Sequence, residues 1–217
     1  MPYFIDSNVI IGYIFDSADA MGQYSKIVIG DEEEKYSGQT VHNECFGING
    51  NGRCKTIRKQ IASEIRRIIA ALYKGLSLPE ILNQMEEKEC RTYLLIDDIS
   101  KEYKNDTNLL IELLRNGQRD FESDCVDRED RILDLIVFHT RTIPYTEIYN
   151  ALNEHIEDKD DIEVILDAHD VGLEISALVL VSGNYRDITA FRKLISDKTS
   201  IKNVRSLKSF APPMSFH

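Results

Sequence analysis

Tyr3, Phe4 and Ile5 stand together near the start of the chain. Asp6-Ser7-Asn8 follows, after which Val9, Ile10 and Tyr13 recur at helical spacing. The pattern predicts a short buried strand that breaks into a helix. A second apolar run, Leu178 to Val181, ends in the polar turn Ser182-Gly183-Asn184-Tyr185-Arg186-Asp187 before Ile188. It predicts a second buried strand.

Between these strands the pattern is mostly helical. Tyr36 to Val41 predicts a further strand, and Val41 to Cys45 opens a helix that carries Glu44 inward. Tyr24 to Ile29 is a short segment of undetermined type, and the charge run Asp31 to Lys35 reads as a solvated loop or helix start. Ile57, Ile61, Ile65, Ile68 and Leu72 form one apolar stripe and predict a helix over Arg53–Tyr73. Ser77 or Leu78, with Pro79 in the first turn, opens another helix that continues through Ile81, Leu82 and Met85, with helical pattern again from Tyr93 to Ile99. Two more are predicted over Asn108–Arg115 and Arg128–Thr140, and one runs from Pro144 to about His155. The glycine-rich Gly47 to Gly52 lacks the Lys-Ser/Thr ending of a phosphate-binding loop and reads as a flexible connection. The expected organisation is one domain over 1–210. Its core halves are 1–74 and 151–210, a helical insertion fills 75–150, and a tail follows at 211–217.

Composition narrows the classes. The 217 residues are 42% hydrophobic and 29% charged, as in a soluble domain, and no apolar run approaches a membrane span. Without a secretory leader pattern, a cytoplasmic protein is expected. Cys45, Cys54, Cys90 and Cys125 lack metal-knuckle spacing and read as buried reduced thiols. The net charge of −11 argues against a surface that wraps nucleic acid broadly. Residues 53–67 run the other way: Lys55, Arg58, Lys59 and Arg66 lie mainly off the apolar stripe. They read either as an RNA-backbone face or as a solvated face paired with acids near 86–89.

Asp6 falls at the carboxyl end of the first strand, where open α/β sheets bind ligands and a helix N-terminus favours negative groups. Taken alone, an Asp at this place reads first as a plain N-cap. Glu157-Asp158-Lys159-Asp160-Asp161 precedes an apolar helix, and helix-dipole complementation accounts for acids there without choosing among them. His42, His139, His155, His169 and His217 form no zinc-binding pair.

Taken in order, Phe4-Ile5-Asp6-Ser7-Asn8-Val9-Ile10, Thr40-Val41-His42-Asn43-Glu44, Asp161-Ile162-Glu163-Val164-Ile165-Leu166-Asp167-Ala168 and Ser182-Gly183-Asn184-Tyr185-Arg186-Asp187-Ile188 resemble the four acidic motifs of the PIN-domain nucleases. The resemblance covers roughly 1–50 and 155–210. It implies a three-layer α/β/α fold with a mostly parallel central sheet, here with a large helical insertion. It also implies a metal-dependent endoribonuclease, toxin-like or RNA-processing, with an RNA substrate, an antitoxin-like protein partner and a homodimer. Asp6, Glu44, Asp161 and Asp187 take the acidic positions, and Asn8, Ser182 and Asn184 support them. Asp161 is preferred because Ala168 and Gly172 follow at the family's spacing. Extra residues after Gly172 keep Asp160 and Asp167 open. Where the family commonly has Thr, this chain has Ser182, and Asn184 is the neutral choice where Asp also occurs.

Four carboxylates sharing one site repel one another and are tolerable only with cations, and hard oxygen donors suit Mg²⁺ or Mn²⁺. Two other readings stand beside this one. The fold can serve as an RNA-binding or scaffolding module with an incomplete metal site. Asp6-Ser7-Asn8-Val9 is also similar to the first motif of haloacid-dehalogenase-like phosphatases, which need a second Asp where this chain has Asn8.

Overall fold

Five short parallel strands in the order β3-β2-β1-β4-β5 form the centre of the chain, seen here in a computed structural model that describes residues 1–84, 90–100, 103 and 106–210. They are β1 (Tyr3–Ile5), β2 (Lys35–Gly38), β3 (Ile136–His139), β4 (Val179–Ser182) and β5 (Asn203–Ser206). The acids expected at 86–89 and the tail at 211–217 lie outside the described residues, as does the side chain of Cys90. β1 and β4 are buried along their whole length, which is why both read as unbroken apolar runs.

The chain leaves β1 through α1 (Ser7–Ile14) and α2 (Gly22–Gly30) to β2. It reaches β3 through α3 (Gln39–Phe46), α4 (Arg53–Tyr73), α5 (Leu78–Asn83), α6 (Cys90–Ser100) and α7 (Thr107–Leu135). It then reverses across the sheet through α8 (Thr146–Asn153) and α9 (Lys159–Glu174) to β4, and through α10 (Arg192–Lys198) to β5. Right-handed crossovers running in opposite directions put the two sets of helices on opposite faces, giving three α/β/α layers. The change of direction falls between β1 and β4. There the helices diverge and leave a crevice at the carboxyl ends of the strands.

Several elements differ from the sequence reading. α7 is a single helix of 29 residues, roughly 43 Å long, in place of the two segments expected within it. It ends at Leu135. The helix expected over Arg128–Thr140 is corrected there, because Ile136 to His139 pair with β2 in register from Lys35↔Ile136 to Gly38↔His139. The interval 75–150 therefore contains a strand of the sheet between α7 and α8. Tyr24–Ile29 falls within α2, and β2 stops at Gly38 because α3 starts at Gln39. α5 opens with the capping box of Ser77 and Glu80, and Glu80 accepts from the Ser77 amide at 2.8 Å. Gly117 in mid-α7 allows the crossing with α6: a Cβ there would meet Ile99 Cδ1 at 2.6 Å. Cys45, Cys54 and Cys125 are buried free thiols. Among the described residues no helix is long and apolar enough to cross a membrane.

Candidate metal centre

Asp6 is the last residue before α1 and caps it, with its side chain accepting from the Ser7 amide at 2.6 Å. The cap reading of the sequence is thus correct, but the cap engages only one carboxylate oxygen. Oδ2 accepts from the Asn8 amide and the Ser182 hydroxyl, each at 2.5 Å. Asn8 is itself held, its Oδ1 taking the Gly183 N–H at 2.5 Å. The loop after β4 is thereby tied to the loop after β1 across the crevice. Asp6 is 2% exposed. Burial and then the field of Glu44 push its carboxyl up, against the lowering effect of the Ser182, Ser7 and Asn8 hydrogen bonds.

Asp161 reaches the same crevice from the first turn of α9. Its Oδ2 accepts from Asn184 Nδ2 at 2.7 Å, and Asn184 Oδ1 takes the Asp187 backbone N–H at 3.1 Å, so one side-chain amide ties the Asp161 carboxylate to the main chain at Asp187. Burial raises Asp161 most, followed by Asp6, Asp158, Asp187 and Glu44, and together they carry it up to about 7. Among the described residues it makes no ion pair.

Of the acids left open by the sequence, Asp160 is exposed, with its N–H on the Asp158 cap at 2.9 Å. Asp167 faces a different neighbourhood. It is 2% exposed, accepts from Arg141 Nε at 2.8 Å and from the Thr40 N–H at 3.1 Å, and fills the space a Cβ on Gly38 would need. Glu44 lies within the field of Asp6 and Asp161, but its Oε1 is 2.5 Å from Arg53 Nη1. Arg53 opens α4 and is brought to Glu44 by the loop 47–52, where Gly47 takes a φ of 76°. The sequence pattern gave no sign of this pairing, since the two residues lie on separate helices.

No protein-family model, curated protein or solved structure matches this chain. What the arrangement can do therefore rests on its chemistry. Among the described residues no three His, Cys, Asp or Glu side chains are already disposed as a ligand set for one ion. Asp161 lies in the field of Asp6, Asp158, Asp187 and Glu44, and Asp6 in that of Glu44. As donors they fit a hard divalent cation, which would relieve the crowding that lifts Asp161. His42 packs between Phe46 and Phe138 at ring separations of 5.4 and 5.0 Å, and His169 bonds to Ser200; both are accounted for by packing.

The basic residues of α4 do not adjoin this crevice directly. Lys55, Arg58, Lys59 and Arg66 line a groove whose other wall carries Glu122 and Val126 of α7. By helical phase this groove is on the opposite flank of α4 from Arg53. Arg58 pairs with Glu129 at 3.3 Å, while Lys55 only reaches Asn51 Oδ1, at 2.9 Å.

Proposed function

We propose that the chain is a cytoplasmic, metal-dependent endoribonuclease of the PIN-like kind, hydrolysing RNA phosphodiesters at the crevice between β1 and β4. The observation that carries this reading is Asp161. A half-buried carboxyl with no cation beside it is raised to about 7 by burial and by Asp6, Asp158, Asp187 and Glu44, a state that a divalent ion relieves. Perturbed acids in a switch-point crevice mark functional sites. Partners proposed on the same resemblance are RNA, an antitoxin-like protein and a second copy of the chain.

Asp6, Asp161 and Asp187 would hold Mg²⁺ or Mn²⁺, with Glu44 joining them once released by Arg53. The bound ion would polarise the scissile phosphodiester and make a water nucleophilic at neutral pH. Where Glu44 does not itself join the ion, it would orient that water and take its proton. Asn8 and Ser182 fix the Asp6 carboxylate, and Asn184 fixes Asp161 against Asp187. Arg53, freed from Glu44, becomes available to a phosphate oxygen.

Two observations favour the second reading, an RNA-binding module with weak or no catalysis: Arg53 already supplies Glu44 with a cation, and Asn184 is neutral. The phosphatase reading loses support because Asn8 serves as an amide clamp on Asp6 and offers no acid. A fluorogenic RNA titrated with Mn²⁺ separates these. Cleavage is expected from the wild type and none from Asp6→Asn or in excess chelator. Mn²⁺ is also expected to raise the wild-type Tm but not that of Asp6→Asn. A metal-dependent signal that Asp6→Asn leaves intact would remove the reaction from this crevice.

A further inference from the structure

Beside Asp187 a cleft lies between the start of α9 and the loop after β4, lined by Glu157, Asp158, Lys159, Arg186 and Asp187. Arg186 contacts Glu157 at 2.8 Å, with the two side chains 78% and 83% exposed. So exposed a pair gives up its contact at little cost. Lys159, also exposed, has no ion pair among the described residues. Next to them the Tyr185 ring is 75% exposed. The ring is not among the side chains packed against the core, so its face is open for stacking.

The loop holds the ring there. The Thr189 amide bonds to the Asn184 carbonyl at 3.0 Å and the Ala190 amide to the Tyr185 carbonyl at 2.9 Å, closing the turn behind the ring. In front, the Asn184 amide bonds to Ser182 Oγ at 2.9 Å. Four consecutive residues thus present, on one braced loop, an amide bonded to Asp161, an open aromatic face, a guanidinium and an acid of the crevice.

We infer that this loop forms a nucleotide subsite. The RNA nucleotide next to the scissile phosphate stacks its base on Tyr185 and lays its phosphate on Arg186 and Lys159. The inference rests on the nuclease reading for what occupies the crevice, but binding at the subsite does not require cleavage. An open ring face accepts any base, so the subsite tolerates sequence and selects an unstacked, single-stranded substrate. Arg186 exchanges a solvent-screened carboxylate for a phosphate, with release of counterions. Tyr185 acts by positioning and takes no part in the bond-making step.

The test uses single-stranded RNA bearing 2-aminopurine, with chelator present so that nothing is cut. The chain contains no Trp, so the probe is read without indole background. Wild type is expected to quench the probe on binding. Tyr185→Ala should lose the quench and bind about tenfold more weakly, while Tyr185→Phe keeps both. Arg186→Gln with Lys159→Gln should preserve the quench and lower the slope of log affinity against log salt by about 0.7, the share of the one phosphate they hold. In Mn²⁺, Tyr185→Ala should raise KM and leave kcat nearly unchanged. Equal quench and KM in wild type and Tyr185→Ala overturn the subsite, even if RNA is cut. An acidic peptide that binds the cleft when RNA does not also overturns it. A wild type that quenches yet never cleaves in Mn²⁺ leaves the subsite standing and removes the nuclease reading.

Discussion

α9 carries acids into two neighbourhoods that solve the same problem differently. Asp161, in its first turn, meets other acids and an amide. Asp167 and Asp170, further along, meet Arg141, His139 and Tyr145. Arg141 binds Asp167 at 2.8 Å and also Glu163, while His139 Nε2 lies 2.7 Å from Asp170, which also accepts from the Tyr145 hydroxyl. Burial pushes Asp170 up, but the bonds from Tyr145 and His139 and the field of Arg141 outweigh it and leave its carboxyl below the usual range. Asp161 has nothing comparable and goes the other way, to about 7. The paired set fastens β3 and the segment after it onto α9, and the unpaired set faces a crevice. An acid whose charge is balanced inside the fold holds structure together; acids left unbalanced beside one another are what the proposed cation would relieve.

The largest test of that contrast is Arg141→Ala. It strands the buried Asp167 carboxylate with only the Thr40 amide, and losing one member of a buried pair costs about 3 kcal/mol. Chemical denaturation at pH 7 should show that loss. A variant as stable as wild type would mean the pair is not what fixes β3 to α9.

Asp161→Asn should act in the opposite direction. Because the folded-state pKa is raised from 3.8 to about 7, the folded chain binds the extra proton across that interval. Wild-type stability therefore falls as pH rises from about 4 to about 7. Removing the charge should stabilise the metal-free protein at pH 8 by on the order of 1 kcal/mol, after discounting for solvent screening at this half-exposed group, and do nothing at pH 4. With saturating Mg²⁺ the order should reverse, because the wild type alone gains the bound ion. Melting curves of both proteins at the two pH values, with and without Mg²⁺, check each step. Equal curves at pH 8 without metal would mean that the crowding of acids is not felt.

The Asp6 turn was legible because its signals are local: an apolar strand, a capping acid and helical spacing after it. β5 was not, since only Val204 of its four residues is buried and an edge strand of that kind leaves little pattern. β3 was read as helix because Ile132, Leu133, Ile136 and Val137 satisfy helical spacing, and only pairing with β2 decides otherwise. α7 went unread as one helix because polar residues sit on its inner stripe. Arg128 there donates to the Ile14 carbonyl at 3.1 Å and Glu129 meets Arg58, contacts invisible from within the helix itself. The same holds at the crevice. The order of the acids along the chain could be read, whereas the separation of Asp167 from Asp161 depends on Arg141, 26 residues away. The cation on Glu44 depends on how a glycine loop folds back.

The smallest effect belongs to the basic groove of α4, and it asks whether unbalanced charge of the other sign also waits for a ligand. Lys55, Lys59 and Arg66 have no acidic partner among the described residues, whereas Arg58 has Glu129. If the groove holds the RNA backbone away from the crevice, Lys55→Gln, Lys59→Gln and Arg66→Gln together should lower the salt slope of RNA binding by about 2, at ~0.7 per contact. Folding stability should be unchanged, because exposed lysines and arginines without partners contribute little to it. Arg58→Gln should do the reverse, costing stability by leaving the half-buried Glu129 carboxylate without its cation, and leaving the slope nearly alone. Salt titrations of RNA affinity on the two variants decide the matter. An unchanged slope in the triple variant would return these residues to an ordinary solvated face and confine RNA to the acidic crevice.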